Sequence, residues 1–331
     1  MRIGVIGAGA VGGTLAALLA LKGHDVEITA RGAHLDQIRA NGLRFDGAWG
    51  DHIVRLRANP LLTARPDLAI IATKVHDAAT ALAANAVRLD GVPVLTVQNG
   101  LGGLRVAHEE LPASPLLGGL ALFAASHLEP GRVTVTAALP TLLGAGPGCD
   151  RELFERIAGV LGDAFPIERT DDITGAQWTK LLINHVNALP AITGMSVQEV
   201  IAHRGLRRIM TASMRETVRI AEGIGVRFVR VNGVSGAVLG LVGRLPLSVG
   251  QLFPRVLAKR LGAVPNPGST LQSMRRGQLT EIDFLNGAVV AAAAEAGIEA
   301  PINAAIVALV HEVEGTREYL SPAEVMLRIP A

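Results

Sequence analysis

Two rhythms of apolar and polar positions divide the chain. In the first half, short apolar runs alternate with helical stretches. Arg2–Ile6, Asp25–Ala30, Asp67–Thr73 and Val92–Val97 read as strands, and a helix is expected over Val11–Lys22. Further strands follow closely at Leu116–Leu122, Arg132–Thr136 and Thr141–Gly144, as at the far edge of a sheet where helices run out. Continuous apolar strands alternating with helices point to a parallel sheet covered on both faces. Beyond about Arg169 nearly everything has helical periodicity, broken at Pro190, Gly223–Gly225, Pro246, Pro265–Pro267, Gly297 and Pro301. The expected architecture is α/β: a Rossmann dinucleotide-binding domain over residues 1–168 and an all-helical domain over 169–331.

One helical stretch breaks its own pattern. Residues 178–189 read WTKLLINHVNAL. At 100° per residue, Lys180, Asn184 and Asn187 fall within an arc of about 60°. Trp178, Leu181, Leu182, Val186 and Leu189 fill the rest of the circumference, so the helix is expected to be buried with one polar seam. Burying lysine without partners is costly. The seam is therefore either satisfied within the protein or turned toward a ligand that comes and goes.

Composition narrows the function classes. The 331 residues are 49% hydrophobic and 18% charged, with a net charge of +2, enough for two sizeable cores but too weakly basic for nucleic-acid binding by charge alone. The single cysteine, Cys149, sits in a loop-like stretch, excludes an intrachain disulfide and suits a reducing cytoplasm. No signal peptide is evident, and the longest apolar candidate, Val231–Gly243, is short and glycine-rich. A cytoplasmic protein without membrane contact is the expectation. No HExxH, GxSxG or paired-cysteine pattern supports a metal site or nucleophilic hydrolysis.

The chemistry begins at residue 7. Gly7, Ala8, Gly9, Ala10, Val11 and Gly12 form a GxGxxG that follows a strand and opens a helix, the context of a dinucleotide site. Helix N–H groups there favour a pyrophosphate. Where an NAD site carries Asp or Glu after the second strand, this chain has Arg31, a planar donor suited to a 2′-phosphate. Lys74, after the third strand, is placed to reach the same region, so the cofactor is expected to be NADP(H). Asn99 ends the fourth strand, where ligands sit in such sheets, although Asn-Gly is also a plain turn signal. A ketone receiving hydride needs a proton donor and charge stabilisation at oxygen, which Lys180 flanked by amides offers. Residues 280–283 (TEID) read as a capping box opening a helix over Phe284–Ala296. Glu281 is then open to two readings, helix-terminus electrostatics or substrate contact.

Together the GAGAVG, ATK, QNG, WTKLLIN and TEIDFLNG stretches make the chain similar to the ketopantoate reductase (2-dehydropantoate 2-reductase) family, in order and over essentially its whole length. The resemblance implies NADPH and a small 2-oxo acid bound in a cleft between the domains, with reduction of 2-dehydropantoate to (R)-pantoate on the way to pantothenate and coenzyme A. It implies Lys180 as proton donor and Glu281 as the carboxylate holding the substrate hydroxyl. It further implies Asn99, Asn184, Asn266 and Ser269 as polar ligands of substrate or cofactor, Arg31 and Lys74 as 2′-phosphate binders, and a backbone contact at Ala125. Asn187 joins the substrate set, although the family's second asparagine commonly falls one residue later. Ser273 replaces a frequent acidic residue, and the segment from about Val226 to Pro265 is longer than in compact members. A reductase of another 2-oxo acid or imine, and an NADP(H)-binding sensor without turnover, are the alternatives. The apolar helical half is compatible with a homodimer.

Overall fold

The computed structural model describes residues 1–260, 262 and 264–331. The chain forms two compact units, Met1–Ile173 and Thr174–Ala331. The division falls a few residues beyond 168, because the strand at Ile167–Thr170 still pairs with Thr141–Gly144 of the first sheet.

The first unit runs β1 (Arg2–Ile6), α1 (Ala10–Leu21), β2 (Asp25–Thr29), α2 (Gly32–Asn41), β3 (Leu43–Gly47), β4 (His52–Val54), β5 (Arg57–Asn59), β6 (Leu68–Ile71), α3 (Val75–Leu89), β7 (Val94–Val97), α4 (Gly103–Glu110), β8 (Leu116–Ala121), β9 (Ala124–Ser126), β10 (Arg132–Ala137), β11 (Thr141–Ala145), α5 (Arg151–Ala164) and β12 (Ile167–Thr170). The main sheet has the order β12-β11-β8-β7-β6-β1-β2-β5. Its pairs are parallel except β8 with β11. The central strands are apolar along their length because both faces are covered. Val5 registers with Ile28 on one side and Ile70 on the other, and all three are fully buried.

The Arg132–Thr136 strand does not lie at the edge of this sheet, as its spacing suggested. As β10 it belongs to a second sheet of order β4-β3-β10-β9, parallel to β3 with Val133 opposite Phe45. Its residues alternate, Val133 and Val135 buried against Thr134 and Thr136 more open, the mark of a sheet packed on one face only. Val133 packs on α1 at Gly13, where a Cβ would lie 2.7 Å from its Cγ2.

The second unit is helical among its described residues: α6 (Ile173–Asn184, starting at the boundary), α7 (Ala188–Thr193), α8 (Val197–Ala202), α9 (Arg204–Gly223), α10 (Gly236–Arg244), α11 (Leu247–Gly250), α12 (Leu252–Arg260), α13 (Gly268–Arg275), α14 (Asn286–Glu295), α15 (Pro301–Thr316) and α16 (Pro322–Arg328). Its core joins Leu206, Met210, Met214 and Val218 of α9 to Ile306, Val310 and Val313 of α15. The long segment after Val226 supplies α10 to α12.

Two local expectations are corrected. Residues 178–189 are not one helix, since a 3-10 turn at His185–Asn187 separates α6 from α7. Pro190 lacks an N–H and its ring clashes with the carbonyl four residues back, at Val186, so the backbone tightens there. Nor does the capping box at 280–283 form. Thr280 donates its N–H to Glu314 Oε1 at 2.7 Å, and Asp283 instead meets His311 Nε2 at 2.8 Å. A 3-10 turn at Ile282–Phe284 follows, and α14 starts only at Asn286. No helix among the described residues is long and apolar enough to cross a membrane.

Candidate active site

In the first unit the candidate residues occupy one edge of the sheet. Four neighbouring parallel strands, β7, β6, β1 and β2, end respectively before Asn99, Lys74, the Gly7–Gly12 turn and Arg31. Strand order reverses at β1, with β2 on one side and β6 on the other, and a ligand crevice forms at such a switch point.

The glycine turn is shaped by close approaches. Gly7 has φ +105°, and a Cβ there would lie 2.8 Å from the Thr73 nitrogen. A Cβ on Gly12 would come within 1.9 Å of the Gly7 oxygen, so only glycine lets α1 start against β1. Gly9, by contrast, has open space around its would-be Cβ, leaving its backbone approachable. Thr29 accepts a hydrogen bond from the Gly7 N–H at 3.0 Å, tying the turn to β2.

Arg31 is exposed immediately before α2 and has no ion-pair partner among the described residues. Lys74 is half-buried immediately before α3. Asn99 is half-buried beside Gly100, whose φ is +78°. Ala125 lies on β9 opposite Val135 in the second sheet, away from the main-sheet edge but against α1.

The second unit brings Lys180 and Glu281 within electrostatic reach although they are far apart in sequence. Lys180 keeps some accessible surface, yet its ammonium is densely enclosed. For its charge the enclosure matters more than the residual exposure. Burial pulls its pKa down to about 8, while the Glu281 carboxylate pulls the other way. Neighbouring Thr179 fixes the helix laterally, its hydroxyl lying 2.9 Å from both the Gly175 and Val229 carbonyls.

Asn184 ends α6, and Asn187 follows in the 3-10 turn. Asn187 abuts the start of α13: a Cβ on Gly268 would lie 2.6 Å from its Oδ1. Asn266 joins this cluster, its Oδ1 accepting the Gly268 N–H at 2.8 Å while its own N–H reaches Gln198 Oε1 at 2.9 Å. Its side-chain oxygen is thus engaged in shaping the turn. Ser269 is exposed on α13, one turn before half-buried Ser273. No grouping of His, Cys, Asp and Glu fit for a metal ion occurs among the described residues. Cys149 is half-buried with its thiol pKa raised by burial and by Asp150, a poor setting for a nucleophile.

Sequence patterns did not expose several supporting groups. His34 Nδ1 accepts the Gly131 N–H at 2.8 Å, so Nε2 carries the ring proton and donates to the Ala8 carbonyl at 2.7 Å. The glycine turn is thereby tied to α2. The only sequence signal was a histidine three residues after Arg31. Gln98 donates to the Thr73 carbonyl at 2.9 Å and joins the ends of β6 and β7.

Comparison with known proteins bears on both units. The family model "Ketopantoate reductase PanE/ApbA" matches residues 3–148, and its C-terminal counterpart matches 172–314. The 2-dehydropantoate 2-reductase of Pyrococcus horikoshii is 30% identical over 316 residues, covering 95% of this chain and 98% of its own. That of Mesorhizobium japonicum is 32% identical over 320 residues, covering 87% and 90%. Among solved structures, a PanE/ApbA family ketopantoate reductase from Ralstonia eutropha JMP134 superposes with a TM-score of 0.83 at 27% identity, covering 96% of this chain and 99% of that one. D-mandelate dehydrogenase shares the fold, with a TM-score of 0.80 at 19% identity and coverage of 96% and 99%.

Proposed function

The chain belongs to the ketopantoate reductase PanE/ApbA family of oxidoreductases, and on that premise we propose that it reduces 2-dehydropantoate to (R)-pantoate with NADPH, using Lys180 as proton donor. The observation that carries this reading is an enclosed lysine facing Glu281 in a chain whose other unit presents a dinucleotide edge.

The residues present fit the cofactor. Gly7, Gly9 and Gly12 leave room for a pyrophosphate against the start of α1, and exposed Arg31 offers a fork to a 2′-phosphate. When bound, the cofactor supplies a hydride to the substrate's 2-oxo carbon. Lys180 Nζ then gives its proton to the carbonyl oxygen, which would otherwise bear full negative charge. The lysine's lowered pKa suits donation near neutral pH, since a group with an ordinary lysine pKa is a weaker acid. Glu281 keeps Lys180 from losing its proton too readily and accepts the substrate hydroxyl. Asn184, Asn187 and Asn266 are assigned to the carboxylate end of the acid, with Ser269, while Lys74, Asn99 and Ala125 are assigned to the cofactor side.

Another small 2-oxo acid remains the second reading, motivated by Asn187 packed on Gly268 and by Ser273. A sensor without turnover would have no need for the enclosed lysine. The test is NADPH oxidation by purified protein with ketopantoate beside a panel of 2-oxo acids. High kcat/KM for ketopantoate alone is expected, and a better rival would reassign the substrate. Tight NADPH binding with no oxidation at all would favour the sensor.

A further inference from the structure

Behind Lys180 and Asn184, the second unit contains a buried polar network that the reduction chemistry does not use. Its members come from four separate segments: His185 in the 3-10 turn, Ser213 and Thr217 on α9, Asn286 at the start of α14, and Asn303 on α15. All are at most 3% exposed.

The order of its hydrogen bonds can be derived from one end. Glu216 accepts the backbone N–H groups of Ile302 at 3.0 Å and Asn303 at 2.8 Å. It also lies 2.7 Å from Asn303 Nδ2, and an acceptor-only carboxylate requires the amide nitrogen there. Asn303 Oδ1 therefore faces inward, where Ser213 Oγ and Asn286 Nδ2 both donate to it at 2.8 Å. With the Ser213 proton so committed, His185 Nδ1, 2.8 Å from Ser213 Oγ, must be the donor of that pair. His185 Nε2 is then the acceptor facing the Thr217 hydroxyl at 3.3 Å. Burial pulls the His185 pKa down to about 3, in keeping with a neutral ring. From Glu216 to His185 Nδ1 the donors and acceptors run in one order, while the Thr217 proton is shared between the Ser213 carbonyl at 3.0 Å and His185 Nε2, and Asn286 Oδ1 is left without a partner among the described residues.

The network also joins two pieces of the candidate site. His185 directly follows Asn184 and precedes Asn187 by two residues, while Asn286 closes the turn that begins after Glu281. Asn286 Nδ2 lies 3.3 Å from His185 Nδ1, bringing those two segments into contact across 101 residues of sequence.

We propose that His185 is a positioning residue, which through Ser213, Asn303 and Asn286 locks the Lys180–Asn187 segment to the Glu281 segment and so sets the geometry of the reductase site. The proposal rests on the function assigned above. A misplacement of about 1 Å at such a site can cost ~100-fold in rate.

The test compares His185→Leu, His185→Asn and Ser213→Ala with the wild type for kcat/KM toward ketopantoate, NADPH affinity and melting temperature. Asparagine can place Nδ2 near the position of the imidazole Nδ1. His185→Leu is expected to lower kcat/KM by ~10- to 100-fold with NADPH affinity held within about two-fold, and His185→Asn to recover most of the loss. A folded His185→Leu with wild-type kcat/KM would overturn the proposal. So would equal losses in the Leu and Asn variants that merely follow melting temperature. Should His185→Leu not fold, Ser213→Ala decides in the same way.

An inactive wild type would count against the assigned reaction, and a second readout then judges the positioning role. It is the pH dependence of Lys180 acylation, followed by peptide mass spectrometry. A loosened lock should rehydrate Lys180 and move its titration upward in the variants. An unchanged titration would overturn the proposal.

Discussion

In the proposed function the two units prepare for a ligand in opposite ways. The first works mainly through its backbone: a positive-φ glycine, a helix start and four parallel strand ends aligned on one edge. The second works through side chains, with Lys180, Glu281 and the amides drawn from segments far apart in sequence, and with buried hydrogen bonds through Ser213 and Asn303 joining His185 to Asn286. A backbone site depends on a few local positions where a Cβ cannot fit. A side-chain site depends on long-range packing, where each member is chemically ordinary until its neighbours arrive.

The largest effect should come from removing the proton donor. Lys180→Ala is expected to lower kcat by ~10²- to 10⁴-fold, measured by NADPH oxidation, with NADPH affinity nearly unchanged. Retention of most activity would break the contrast, because the side-chain half would then be dispensable. Next comes the backbone half. Gly12→Ala should destroy dinucleotide binding, since its Cβ would occupy space 1.9 Å from the Gly7 oxygen. Fluorescence titration with NADPH checks this, and near-normal affinity would contradict the close-packed turn.

Arg31→Ala should weaken NADPH by ~10- to 100-fold, as expected for loss of a charge-assisted contact, and NADH by far less. Equal weakening of both cofactors would remove the 2′-phosphate assignment. The smallest effect concerns His311. Partial burial lowers its pKa, but hydrogen bonds and charge from Asp283 and Glu314 outweigh this and raise it overall. With its folded pKa above the unfolded one, its stabilisation is full below about pH 6.5 and fades as pH rises through the raised value. His311→Ala should therefore lower the melting temperature slightly at pH 6 and leave it unchanged at pH 9. The same decrement at both would show that charge is not involved.

This contrast also explains what the sequence disclosed. The glycine turn, Arg31, Lys74 and Asn99 were visible because strand ends and turn chemistry are local, and the Rossmann and helical halves followed from periodicity. The second sheet was hidden because short β3, β4 and β9 carry little apolar signal, and β10 looked like one more strand of the main sheet. Lys180 and its amides stood out as polar residues on an apolar stretch. The break at His185–Asn187 could have been anticipated from Pro190, four residues beyond Val186. The partnership of Thr280 with Glu314 and of Asp283 with His311 could not, because it depends on how α15 packs. His185, Ser213, Asn286 and Asn303 carried no pattern at all, since their meaning lies only in the hydrogen bonds they make with one another.

The most direct test of the account is the pH dependence of kcat/KM for ketopantoate with NADPH, measured for wild type and Lys180→Ala together. Lys180 must be protonated to act as the acid, and its pKa lies at about 8. The wild-type rate should therefore hold at lower pH and fall tenfold per pH unit above that value, while the residual rate of the variant shows no such limb. An alkaline limb that persists unchanged in Lys180→Ala would assign the proton to another group and contradict the account.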